Sequence, residues 1–158
     1  MDIHTYINND IIFDPKASAV PYNYRISYKM ALICSIIGKC CGKKGCSAIK
    51  LQMINAATTS ADAKLQLFEI IENPFSFKTK IIRFDPAVSR AIDLALADEV
   101  IFRQSNGLYR LKDKGKLLVS KVYEDDSLLA SEKKLLSELS NRLTEDIIER
   151  IAENWRSE

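Results

Sequence analysis

Histidine and tryptophan occur once each in the 158 residues, and glycine and proline only five and four times. With His4 as the sole imidazole, a Cys-His or Ser-His nucleophile pair would have to recruit it from the N-terminal stretch. No apolar run approaches the roughly 18 residues needed to cross a bilayer; the longest, from Met30 to Ile37, stops at Gly38-Lys39. The opening MDIHTYINND holds two aspartates and neither a basic segment nor an apolar one, so no secretory signal and a cytoplasmic location are expected. There the four cysteines stay reduced, and their even number does not imply a disulfide framework. An excess of either charge is lacking too. The 23 lysines and arginines against 21 acids are too balanced to argue from the total for a nucleic-acid or membrane ligand. What remains, 47% apolar and 28% charged, is an ordinary globular composition that excludes a disordered, collagen-like or low-complexity chain.

Periodicity predicts a mainly α protein with a small β-hairpin. Residues 1–24, with Pro15, Pro21 and isolated aromatics, read as an N-terminal arm or short strand. From Ile26, apolar residues at Met30, Ile33, Ile37 and Cys41 mark a buried helix. Gly42 to Gly45 stop it, and Ser47 caps a second helix from Ala48 to about Thr58. A third, from about Asp62 to Glu72, shows Leu65, Phe68 and Ile71 on one side and cannot pass Pro74. Phe75 to Phe84 reads as a strand or extended excursion. Asp85-Pro86 opens a fourth helix burying Val88, Ala91, Ile92, Ala95 and Leu96. Two short strands, 100–103 and 108–111, flank Asn106-Gly107, and a helix follows from Lys116 to Tyr123. The last third predicts two helices, with stripes at Leu135, Leu136, Leu139 and at Ile147, Ile148, Ile151, Trp155. They break near 141–144, where Thr144 can cap and Leu143 can staple onto Ile148.

The near-neutral total hides a division. Residues 1–121 carry 18 bases and 11 acids, whereas residues 122–158 carry 5 bases and 10 acids. Lys39, Lys43, Lys44 and Lys50 fall within twelve residues without an acid, and Arg103, Arg110, Lys112, Lys114 and Lys116 decorate the hairpin. Among them Lys39, Lys43, Lys44, Arg110, Lys112 and Lys114 are the candidate contacts to a nucleic-acid backbone; the same residues would also serve as a solvated face. Catalytic patterns fail on spacing. The cysteines read C-x5-C-C-x4-C, unlike the two to four residues usual between zinc ligands. In GKCCGKKGCS, Lys43 stands where a phosphate loop needs its second glycine, and no strand precedes it. Glu145, Asp146, Glu149 and Glu153 lie beside Arg150 and Arg156, as exposed salt pairs would. No catalytic residue, cofactor or metal ligand is therefore assigned, and the chain is expected not to be an enzyme.

A helix, an Asn-Gly hairpin and a further helix, preceded by helices, is the element order of a winged helix, with the Pro86 to Ala97 helix in the recognition position. This divides the chain into an arm (1–24), a winged-helix-like body (25–123) and a C-terminal helical segment (124–158). Its outward positions, Ser89, Arg90, Asp93, Ala97 and Asp98, followed by Glu99, set three acids against one base, which disfavours a major-groove reader.

Three stretches, YRISYKMALICSIIGKCCGKKGCSAIKLQMINAA, IIRFDPAVSRAIDLALADEVIFRQSNGLYRLKDKGKLLV and LSELSNRLTEDIIERIAENW, resemble in that order the middle component of bacterial ABC-three-component systems, the small subunit of Lamassu-type antiviral defence complexes. The resemblance covers residues 22–155 and rests most on Arg83 to Pro86 with Arg90 to Ile92, and on the basic turn leading to Lys50-Leu51-Gln52. It implies an adaptor that bridges or restrains an effector, a nuclease, on an SMC/Rad50-like ATPase sensing foreign DNA, with no membrane and no small-molecule substrate. Leu139, Ile147, Ile148, Ile151 and Trp155 are the candidate partner-docking residues. The alternative is a winged-helix DNA-binding transcriptional regulator.

Overall fold

The computed structural model describes residues 3–5, 11–13, 25–74 and 84–156, apart from the side chains of the first two stretches and of Trp155. Within the stretch read as an arm, β1 (Ile3–Thr5) and β2 (Ile11–Phe13) pair antiparallel, Ile3 opposite Phe13. The excursion expected at Phe75 to Phe84 lies outside the described residues except for its last position.

At the centre stands α1 (Ile26–Cys40), buried without interruption from Leu32 to Ile37. A helix buried on every side needs neighbours all round, and α1 touches the next helix, the two that flank the hairpin, and the hairpin itself. Its partner α2 (Ala48–Ala57) is capped by Ser47, whose hydroxyl accepts from the Lys50 amide at 3.1 Å. Next comes α3 (Ala61–Glu72), capped by Ser60. Its packing face differs from the expected one. Leu67 and Ile70 are buried and Phe68 and Ile71 half-buried, but Leu65 is 62% exposed. Two residues before Leu67, it lies about 200° around the helix and points away from α2.

In α4 (Pro86–Ala97), Asp85 accepts from the Ala87 amide at 2.9 Å, and the helix buries Val88, Ala91, Ile92 and Ala95 of the expected face, with Leu96 half-buried. It leads into β3 (Ile101–Arg103) and β4 (Tyr109–Leu111), antiparallel with Phe102 opposite Arg110. The turn uses Gly107 at φ 85° and an Asn106 side chain that accepts from the Leu108 amide at 3.0 Å. A third edge comes from Cys46, which exchanges backbone hydrogen bonds of 2.9 and 2.8 Å with Tyr109. The segment between the first two helices thus pairs with the second strand of the hairpin, an edge that the element order did not predict; the chain is mainly α with a small antiparallel hairpin, as expected.

The helix after the hairpin, α5 (Asp113–Glu124), begins three residues before the expected Lys116. Gly115 makes the early start feasible: a Cβ there would stand 2.3 Å from the Val100 carbonyl oxygen. Two more helices, α6 (Ala130–Leu139) and α7 (Glu145–Arg156), close the core. They are separated where expected; Ser140 takes φ 47°, and Thr144 accepts from the Ile147 amide at 3.3 Å. Leu135, Leu136, Leu139, Leu143, Ile148 and Ile151 join the same buried cluster as α1 and α2, so the C-terminal helices complete the core of the body.

One polar network runs through that core. Lys29 on α1, 2% exposed, donates to Asn55 on α2 at 2.6 Å and pairs with Asp85 at 3.0 Å. Gln52 accepts from the Asp85 amide at 2.8 Å and donates to its carbonyl at 3.1 Å. Burial opposes ionisation of Asp85, but the hydrogen bonds from Lys29 and the Ala87 amide, with the Lys29 charge, outweigh it and hold the carboxyl below its ordinary value. A carboxylate depressed in the fold adds stability above its unfolded pKa and loses it as pH falls through the folded one. Asp85→Asn is therefore expected to cost about 3 kcal/mol at neutral pH, because it removes the carboxylate paired with a buried ammonium. The variant should also lose part of the wild-type acid sensitivity between roughly pH 5 and pH 2. Denaturant melts across that range check both. Gly115→Ala should lower Tm by several degrees, about 1–3 kcal/mol of overpacking against the Val100 carbonyl.

Candidate nucleic-acid interface

The two basic clusters, some seventy residues apart in the chain, meet in space. The C-terminal end of α1, the turn after it, β4 and the first turns of α5 enclose a cleft of about 360 Å³, in which Lys39, Lys43, Arg110 and Lys116 surround an apolar floor that includes Leu111 and Val119. No carboxylate is among its described lining residues. Each cation is positioned by a different piece of backbone. Lys39 occupies the last turn of α1, where a cation favours the negative helix end, and its ammonium lies 4.4 Å from the centre of the Tyr123 ring on α5. Lys43 rides the turn between Gly42 and Gly45, at φ 57° and 98°. Arg110 stands on β4 opposite Phe102. Lys116 sits at the rim, with Asp113 at 4.0 Å one turn earlier.

The other candidates are employed differently. Lys44 is absent from the cleft and borders a second cavity, which it shares with Lys43 and whose wall includes Glu145 and Asp146. Lys112 pairs with Glu99 at 3.7 Å, and the Lys114 ammonium donates to the Asp98 carbonyl at 3.0 Å. Both therefore brace the end of α4, partly offsetting its acids. Lys50, counted with the basic cluster, is 3% exposed and donates to the Cys40 carbonyl at 2.9 Å. Lys116, in contrast, belongs to the cleft but was absent from the candidate set. Its signal was Asp113, an acid suited to the positive end of a helix starting there.

The face of α4 is as expected: Ser89, Arg90, Asp93, Ala97 and Asp98 are all exposed. The candidate docking stripe is not a surface. Leu139, Ile148 and Ile151 are 0%, 3% and 1% exposed, and Ile147 is half-buried; the side chain of Trp155 lies outside the described set. They face inward because α6 and α7 pack on α1 and α2. Four reduced cysteines lie in the core, and among the described residues no group of three His, Cys, Asp or Glu is placed to hold a metal ion. No helix among the described residues is long and apolar enough to cross a membrane.

No family model, curated protein or solved structure matches the chain.

Putting a charge into the α6–α7 packing tests that assignment. Ile148→Asp is expected to destabilise the fold by about 4 kcal/mol or more, measured by thermal or urea unfolding. A stability equal to wild type would show that the stripe is exposed after all.

Proposed function

We propose that the chain is a non-catalytic adaptor subunit that grips a nucleic-acid backbone in the basic cleft and links protein partners through its remaining surface. The observation that carries this reading is the convergence of Lys39, Lys43, Arg110 and Lys116 on one cleft. Cations gathered in this way repel one another, and a polyanion that threads between them relieves the repulsion while releasing its own counterions. Asp93 and Asp98 on the exposed face of α4 argue against base reading by that helix, so the expected contact is with phosphates and independent of sequence. The resemblance to the small subunit of Lamassu-type complexes supports the partners: an SMC/Rad50-like ATPase that senses foreign DNA, and an effector nuclease that the adaptor bridges or restrains on it.

The test has two arms. In fluorescence anisotropy the full chain should bind labelled duplexes of unrelated sequence alike, with Kd of about 10⁻⁶ to 10⁻⁴ M at physiological salt and a log–log salt slope near −3. The double variant Lys43→Glu with Arg110→Glu should lose at least about tenfold in affinity and show a shallower slope; unchanged binding would remove the cleft from the interface. Nanomolar binding confined to one half-site pattern would instead establish a regulator. In the second arm, a neighbouring reading frame should encode a coiled-coil ATPase, and co-expression with it should yield a stable complex; the lack of such a frame, or separate elution of the two proteins, would sink the adaptor role.

A further inference from the structure

The second cavity, about 440 Å³, is the size of a small-molecule site. Its wall brings Lys43 and Lys44 from the turn after α1 and Lys50 from α2 together with Glu145 and Asp146 from the start of α7. Among the described residues no ion pair joins any of these lysines to either acid, so opposite charges in one wall are held apart. Lys50 is the sharpest case. It is 3% exposed and stands in the first turn of α2, the positive end of that helix, where a cation is disfavoured. Its hydrogen bond of 2.9 Å goes to a neutral group, the Cys40 carbonyl, which belongs to the same wall and lies at the negative end of α1. That end offsets part of the charge, but a buried ammonium without a carboxylate partner is unfavourable unless an anion reaches it. We infer that the cavity binds a ribose phosphate, free or as part of a ribonucleotide, with the phosphate on the lysines and sugar hydroxyls on the acids.

Backbone fixes where the charges stand. Gly42 and Gly45 take φ 57° and 98°, and Gln104 donates to the Lys44 carbonyl at 2.9 Å, which ties the turn to the hairpin. Lys43 and Lys44 are exposed and approach a ligand from the solvent side, whereas Lys50 meets it from the protein side. A phosphomonoester, with about two negative charges and three terminal oxygens, can take hydrogen bonds from several ammonium groups at once. Glu145 accepts from the Ser47 amide at 2.9 Å, which joins the start of α7 to the cap of α2, and Asp146 is exposed beside it. Ionised carboxylates only accept, so the part of a ligand that faces them has to donate. Sugar hydroxyls do so without adding charge, whereas a continuous polyanion would be repelled there. The basic cleft differs on this point, having no carboxylate among its described lining residues; Lys43 borders both.

Titration calorimetry of the full chain with ribose 5-phosphate, AMP and inorganic phosphate tests this without reference to the cleft. Ribose 5-phosphate should bind at one site with Kd of about 10⁻⁵ to 10⁻³ M, and inorganic phosphate at least about tenfold more weakly. AMP binding as tightly as ribose 5-phosphate, or more so, assigns the ribonucleotide form; weaker AMP binding assigns the free sugar phosphate. Lys50→Met keeps the length of the side chain and removes the unpaired charge, so Tm should hold or rise while affinity for ribose 5-phosphate falls at least about tenfold. Lys44→Gln, at an exposed position, should weaken binding at least about threefold at unchanged Tm, a readout that stands whatever the Lys50 variant does to the fold. Asp146→Asn should narrow the preference for ribose 5-phosphate over inorganic phosphate at least about threefold. No saturable binding, equal affinity for ribose 5-phosphate and inorganic phosphate, or affinity unmoved by both lysine substitutions would each overturn the inference and leave Lys50 as a cap on the end of α1.

Discussion

An ammonium group placed in an apolar interior is tolerable only if it is paired and hydrogen-bonded, since the cost of desolvating a lone charge is several kcal/mol. Lys29 is in that position, and the groups that satisfy it come from elsewhere in the chain: Asn55 from α2 and Asp85 from the start of α4. Asp85 has a second duty as the cap of α4, so one carboxylate sets both where that helix begins and how it meets α1. Gln52 grips the backbone of the same residue from the α2 side. Three helices are thereby joined at one point. The hairpin follows α4 directly, which makes the position of the wing, and of Arg110 on it, a consequence of this buried pair.

The cleft depends on close approaches as well. Gly38 lies where a Cβ would be 3.3 Å from Leu111 and 3.5 Å from Val119, and Gly115 sits under the Val100 carbonyl. These two allow α1, β4 and α5 to converge until their cations share one opening. Lysines on the same stretch of sequence then divide by what is near. Where an acid or a carbonyl just past α4 is in reach, as for Lys112 and Lys114, the charge braces the fold; Arg110 and Lys43 line the cleft, and Lys43 also borders the cavity that holds Glu145 and Asp146. The acidic balance of the last third finds its place in the same logic. Its carboxylates stay largely outside, and the apolar stripe beneath them closes the core.

Much of the fold is legible in short stretches, because caps and turns act over a few residues. Ser47, Asp85, Thr144 and Asn106-Gly107 mark their elements wherever they occur, and the structure places a cap or turn at each. The α4 face was legible for the same reason. Leu65 and the Lys116 start were misplaced because apolar spacing alone does not state which side of a helix meets a neighbour, nor that a glycine in the first turn tolerates a carbonyl against it. The C-terminal stripe could be recognised as apolar, but whether it met a partner or the body depended on how α6 and α7 folded back.

The sequence by itself determined the helical class, the hairpin, most helix starts and the presence of two basic clusters, all of which arise from local backbone preferences and the order of residue types. Only the tertiary structure decided that the clusters form one cleft, that Lys29 and Lys50 are buried, and that all four cysteines lie in the core. Those facts rest on side chains distant in sequence meeting within a few ångströms, where desolvation makes each charge or thiol depend on its neighbours. Proximity of that kind is a property of packing, which no local pattern encodes.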